Sequence, residues 1–217
     1  MSIESSRRQR KRVQTENHLA ATAFRLFERH GYDVVAMEQI ATEADVAKAT
    51  LYKYFPVKEA LIAHQFRVDI AAGMTDRAAS LAVHLTFDAR MRYLLAESAA
   101  WHSARREYLR HYLRYLTSQA QYDSESIGKK PAETLSRQIL THMFQDGQNA
   151  GEVGTEQTAA QIAWSFEYLL FGAIAAWLTD SSTDLTQRFL AAFALCMHGV
   201  AMRPSPERPT PPPGGAK

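Results

Sequence analysis

Apolar residues recur at helical spacing along almost the whole chain, and few segments show the alternation of a strand. Ala20, Ala23, Phe24 and Phe27 share one face of a first helix over about residues 12–30, and His30-Gly31 ends it, with Gly at the left-handed position past the last turn. The same pattern predicts helices near 37–44, 48–54, 57–81, 88–103, 104–120, 131–150, 156–180 and 185–201. Pro131 suits a first turn, Gly151 and Gly154 mark a break, and Asp184 with Gln187 three residues on resembles a capping box. The fold class that follows is all-α.

The stretch Ile162–Leu178 is apolar on every side and carries one charge, Glu167. A membrane span is rejected, because a carboxylate in mid-span costs about 2.5–3.5 kcal/mol on insertion scales and no second such stretch exists. A soluble helix of this kind must be covered on opposite faces, by its own bundle and by a second copy of the chain. The next helix adds Phe189, Ala192, Phe193, Cys196 and Met197 on one face. Phe166, Leu170, Trp177, Phe189, Phe193 and Met197 are therefore the candidate homodimer interface, and a central helix of a monomer is the alternative.

Charge matters locally. With 25 Lys and Arg against 23 Asp and Glu, the formal charge is +2, so nucleic-acid binding must come from local clustering. Residues 1–67 carry 11 basic and 8 acidic groups, the excess lying in Arg7, Arg8, Arg10, Lys11 and Arg12. That run is followed by an amphipathic segment and not by the apolar stretch of a signal peptide. The single cysteine, Cys196, excludes an internal disulfide scaffold, so a reduced cytoplasmic protein is expected. Residues 203–217 hold six of the eight prolines and read as a disordered tail.

The most specific stretch is residues 37–58. Met37, Ile40, Ala41 and Ala44 form the inner face of a short helix, Asp45-Val46-Ala47 turns the chain, and a second short helix runs from Lys48 to Tyr54 before Pro56. That is helix-turn-helix spacing. Val46 and Leu51 anchor the motif in a core with Phe24, Phe27 and Ile40. Lys48, Ala49, Thr50, Tyr52, Lys53 and Tyr54 then face outward, where small residues allow close approach to base edges and hydroxyl and ammonium groups reach phosphates.

The run Phe27, Gly31-Tyr32, Ile40-Ala41, Ala44, Val46, Thr50-Leu51-Tyr52, Tyr54-Phe55-Pro56 and Lys58-Glu59-Ala60-Leu61 resembles the DNA-binding domain of the tetracycline-repressor (TetR) family of bacterial regulators, over about residues 12–64. The resemblance implies three N-terminal helices that bind a double-stranded DNA operator, followed by about six helices that bind an effector and dimerise. The division is then a basic disordered arm (1–11), a helix-turn-helix domain (12–56), an effector-binding and dimerisation domain (57–202) and the tail (203–217). It places Thr50, Tyr52, Lys53 and Tyr54 at DNA, with Lys58 gripping a phosphate. Arg10, Lys11 and Arg12 of the arm add phosphate or minor-groove contacts, or are a solvated tail. Three residues depart from the family pattern: Ala36 and Ala47 stand where oxygen caps are usual, and Asp45 where Gly is usual in the turn.

Aromatics are dense from Met91 to Trp177, and Trp101, Tyr108, Tyr112, Phe144, Trp164 and Tyr168 are the candidate residues for a small apolar or amphipathic effector. Arg106, Arg110 and Arg114 form an i, i+4, i+8 stripe that is either a solvated face or a subsite making the effector anionic. Glu167 is either a buried hydrogen-bonded carboxylate or a ligand contact. The chain has no nucleophile elbow, phosphate loop or His-Glu-x-x-His pair, so no enzyme, cofactor or metal site is expected. The reading is a one-component regulator, a repressor released from a palindromic operator by its effector. The alternatives are an all-helical ligand-binding or enzymatic bundle without DNA binding, and an effector-independent architectural DNA-binding factor.

Overall fold

The computed structural model describes residues 3–125 and 134–199. Among them are nine helices: α1 (Ile3–His30), α2 (Met37–Glu43), α3 (Lys48–Tyr54), α4 (Lys58–Ala82), α5 (Phe87–Ser103), α6 (Arg106–Glu125), α7 (Leu135–Asn149), α8 (Ala159–Thr179) and α9 (Leu185–His198). Each expected helix is present. The largest difference is at α1, which is helical from Ile3, so the expected disordered arm is instead a helical extension. Residues 3–16 hold no Gly or Pro and many strong helix formers, and Arg12 Nε pairs with Glu16 Oε1 at 2.8 Å one turn on. Pro131 and the tail at 203–217 lie outside the described residues.

The ends of the helices follow local chemistry. Gly31, at φ 84°, closes α1 by donating its N–H to the Phe27 carbonyl at 2.8 Å. Ala36 and Ala47 begin α2 and α3 with no side-chain cap, as their lack of an oxygen dictates. Asp45 takes the turn at φ 52°. The capping box lies at Thr158 and Gln161, before α8. At Asp184 the carboxylate instead accepts from Thr186 N at 3.0 Å, the shorter reach of an Asx turn.

Helix α1 packs on α4, α2 on α1 and α3 on α2, around the fully buried Leu19, Ile40, Leu51 and Leu61. At about 1.5 Å per residue, the 25 residues of α4 carry it from this unit into the C-terminal bundle, where it meets α5, α6 and α7. There α8 packs against α6, α7 and α9, and α5 against α9. Phe87, Phe144, Phe166 and Phe193 interlock at the centre, with neighbouring rings 5.4–6.0 Å apart. Gly147 lets α7 approach the start of α5: a Cβ there would lie 2.6 Å from Val153 Cγ2 and 2.8 Å from Phe87 Cδ2. Among the described residues α8 alone is long and apolar enough to cross a membrane by length and composition.

Candidate DNA-binding face and ligand cavities

On α3, Leu51 points inward and is fully buried, while Lys48, Ala49, Tyr52 and Lys53 are exposed; Thr50 and Tyr54 are half-buried. The outward face is narrower than the spacing implied, because Tyr54 also packs against the core. Lys48 forms an ion pair with Glu38 of α2, which holds that carboxyl below its ordinary range, and its ammonium lies 5.8 Å from the Tyr52 ring centroid. The helix-turn-helix pair is thus tied across its surface by charge as well as by its core. Arg10, Lys11 and Arg12 lie exposed along the N-terminal extension of α1.

Lys58 is engaged elsewhere. Its ammonium donates to the carbonyls of Tyr32 (2.6 Å) and Val35 (2.8 Å) and lies 4.2 Å from the Tyr32 ring centroid. It clamps the α1–α2 loop, so two of its three donors are already used. Burial lowers its pKa, against the opposing pull of the Asp33 and Glu59 carboxylates.

The tyrosines of α6 form the seam with the DNA-binding unit. Tyr108 packs on Phe24 (5.1 Å between centroids) and Phe27 (6.3 Å), and His111 stacks on Tyr32 at 4.0 Å. Arg114 crosses the seam to pair with Glu59 of α4. Arg106 lies 4.3 Å over the Trp177 ring and donates to the Trp177 and Leu178 carbonyls at 3.4 and 3.3 Å, closing the C-terminus of α8. Arg106, Arg110 and Arg114 therefore line neither of the two bundle cavities: Arg106 packs on α8, whereas Arg110 and Arg114 are exposed, as the solvated-face alternative has it.

Among the described residues two cavities lie within the bundle, and a third, beside Tyr108, opens between α1, α4 and α6. The first, about 850 Å³ with its mouth included, opens between α4, α5, α7, α8 and α9. Its walls are apolar, among them Ile70, Met74, Leu94, Leu170 and Ile174, and its polar tips include Ser98, His102 and Glu167. His102 Nδ1 donates to the Ser98 carbonyl at 2.6 Å, and burial pushes its pKa down to about 4, so the ring is neutral at pH 7. Glu167 is 1% exposed, held by Arg137 Nη2 at 2.6 Å and by the Thr134 hydroxyl. The carboxylate is thus buried and hydrogen-bonded, and it also lines the cavity.

The second cavity, about 830 Å³, lies beneath the α3–α4 turn, between α4, α6 and the start of α7. Tyr54, Phe55 and Pro56 form its wall on the DNA side; His64, Arg67 and Tyr112 face it from α4 and α6.

Of the expected effector residues, Trp101 lines the first cavity and Tyr112 the second. The other four do not line them. Tyr108 packs toward α1, Phe144 is fully buried in the phenylalanine cluster, and Trp164 and Tyr168 are exposed at 51% and 49% on the outer side of α8. The expected interface residues are displaced in the opposite sense. Phe166, Trp177, Phe189 and Phe193 are buried within the protomer, Leu170 and Phe189 line the first cavity, and Met197 packs against the core. The outer face of α8 and α9 is instead Trp164, Tyr168, Gly172, Ala175, Ala191 and Leu195, all exposed. A helix apolar all round gives hydropathy no way to choose which of its faces turns inward. Sequence reading missed Ile70, Met74, Ser98 and His102; the one signal for them was a polar Ser98–His102 pair one turn apart on an otherwise apolar face of α5.

An exposed helix-turn-helix with cations and hydroxyls on its second helix, joined by one long helix to a hollow bundle, is the architecture of a DNA-binding transcriptional regulator. Residues 19–64 match the family described as "Bacterial regulatory proteins, tetR family". The chain is 28% identical over 201 residues to the "Putative mycofactocin biosynthesis transcriptional regulator MftR" of Mycobacterium tuberculosis, covering 90% of this chain and 96% of that one. Among solved structures it is similar to Thermus thermophilus FadR, a TetR-family transcriptional repressor in complex with lauroyl-CoA, with a TM-score of 0.70, 19% identity, and 92% and 100% of the two chains covered. Bacillus subtilis FadR in complex with stearoyl-CoA gives a TM-score of 0.54 at 15% identity, covering 85% and 98%. At these identities the two structures share the fold.

Proposed function

We propose that the protein is a cytoplasmic, non-enzymatic, one-component repressor that binds a palindromic operator as a homodimer and leaves it when a small apolar or amphipathic effector fills the first cavity. The observation that carries this reading is the course of α4. Asp69, Ile70 and Met74 on this helix line the first cavity, while Lys58 at its start holds the α1–α2 loop of the DNA-binding unit. A ligand that shifts α4 changes the setting of that unit, and about 1.4 kcal/mol of preference for the shifted state lowers DNA affinity tenfold.

In this reading Lys48, Ala49, Tyr52 and Lys53 meet the major groove, Thr50 and Tyr54 flank it, and Arg10, Lys11 and Arg12 reach neighbouring phosphates. Lys58 has one donor left for a phosphate besides its two carbonyls. The outer face of α8 and α9, with Trp164 and Tyr168 at its centre, packs on the same face of a second copy, which sets the spacing of the two recognition helices. The ligand-bound states of the two FadR proteins, holding lauroyl-CoA and stearoyl-CoA, favour an effector with a long apolar part.

Selection of bound genomic fragments, followed by a gel shift on the selected DNA in the presence of candidate metabolites, tests this. A two-fold symmetric site and release by at least one compound are expected. A protein that selects no DNA is not a regulator of this kind, and one that no compound releases has no effector.

A further inference from the structure

Resting on that effector reading, we infer that the second cavity is the head-group subsite of a two-part ligand, an unbranched apolar chain lying in the first cavity with an anionic head beside Arg67, against the α3–α4 turn. Ile70 and Ser136 line both cavities, so the two meet at a shared wall. Their chemistries differ. The first combines apolar walls with the carboxylates Asp69, Glu97 and Glu167, of which Asp69 pairs with Arg105 and Glu167 with Arg137. An anion is disfavoured there and a chain is not. Among the described residues the second has no carboxylate in its lining; its polar groups are the Arg67 guanidinium, His64 and several hydroxyls.

Arg67 is also wired to the DNA-binding unit. Its Nη2 donates to His64 Nδ1 at 3.0 Å, which leaves His64 Nε2 to donate to Asn17 Oδ1 of α1 at 2.8 Å. The imidazole is buried and meets the Phe55 ring edge-on at 5.4 Å, just before the turn into α4. Burial and then Arg67 lower its pKa, which keeps it in the neutral form this bonding requires. Only one of the five guanidinium donors is used on His64. An anion that takes the others pulls on a group one hydrogen bond from His64 and two from α1. The head of the ligand, and not only its bulk, then reports to α1 of the DNA-binding unit.

Calorimetry on the full-length protein with three twelve-carbon probes, each below its micellar concentration, tests this. Laurate and lauroyl-CoA carry the anion as carboxylate and as phosphates, and 1-dodecanol carries none. At least one anionic probe should bind about tenfold or more tightly than dodecanol; whichever of the two does so identifies the source of the charge. Arg67→Gln should erase the preference while leaving dodecanol unchanged, and Arg67→Lys should keep part of it. Ala63→Glu, which puts a carboxylate into the same lining, should weaken the anionic probe alone, and Ile70→Trp should weaken all probes that bind. Equal binding of acid and alcohol, a preference that survives Arg67→Gln in a protein of unchanged melting temperature, or no binding of any probe overturns the inference. Each of those results leaves the effector reading intact if another metabolite releases the operator. Laurate binding in a protein that no compound releases sinks the effector reading instead.

Discussion

Lys58 holds Tyr32 in two ways: its Nζ donates to the Tyr32 carbonyl at 2.6 Å and sits 4.2 Å from the centre of the Tyr32 ring. The lysine at the root of α4 is therefore part of the DNA-binding unit's own structure. Lys58→Met, which keeps the stem and loses the charge, should cost about 1–3 kcal/mol by leaving two carbonyls without their donor, measured by urea denaturation. Lys53→Ala, on the exposed face of α3, should leave stability within about 0.5 kcal/mol and lower the salt dependence of operator binding by about one unit. Unchanged stability in Lys58→Met would mean the clamp is not used in solution.

The two sides of α8 should respond oppositely to the same chemistry. Trp164→Glu combined with Tyr168→Glu lies on an exposed face and should give folded monomers by light scattering, with operator affinity lost through the missing second half-site. Phe166→Glu buries an unpaired charge in the phenylalanine cluster and should not fold. A wild-type protein that is monomeric at micromolar concentration would remove the dimer from this account.

Gly147 sits where α7 meets Phe87 and Val153. Gly147→Ala gains helix propensity of about 1 kcal/mol but inserts a methyl into a filled space, at a cost of about 1–3 kcal/mol. The clash wins because rings and a branched side chain have little room to move. A net loss of stability is expected in thermal unfolding, and a gain would show that the α5–α7 contact relaxes freely.

The buried, neutral His102 makes stability depend on acid. Its pKa in the folded chain, about 4, lies below the ordinary value of 6.5, so the unfolded chain binds the extra proton first as pH falls. Stability from this group is complete above pH 6.5 and declines as pH falls toward 4, by up to about 3 kcal/mol, less to the extent that water enters the cavity. His64 and His111, also lowered mainly by burial, act in the same direction. His102→Asn should flatten the melting temperature between pH 6.5 and 4; a slope identical to that of the wild type would assign the effect to other groups.

Much of the fold was legible because its information is local. The caps missing at Ala36 and Ala47, the left-handed Asp45 and the inward Leu51 all follow from residue type and spacing within a turn or two. The cavities were not, because they depend on which of several equivalent apolar faces meets which neighbour. Trp164 and Phe166 are both large, apolar and two residues apart, yet one faces solvent and the other is sealed in the core. Arg106 and Arg114 look alike on a helical projection, and only the packing shows that one caps α8 and the other bridges to α4. Arg67 and His64 are separated in sequence from everything they connect, so no pattern along the chain announces them.

The helical start of α1 has a mechanical consequence. A flexible arm can place its cations wherever an anion happens to be, but along a continuous helix each is fixed in angle and height relative to Leu19 and Ala20, which root α1 in the core. Removing a single residue at Gln14 would turn Arg7, Arg10 and Lys11 through about 100° and draw them back by about 1.5 Å. Their contribution to any contact is therefore a matter of phase, and a deletion of one residue should do more harm there than neutralising any one of the charges.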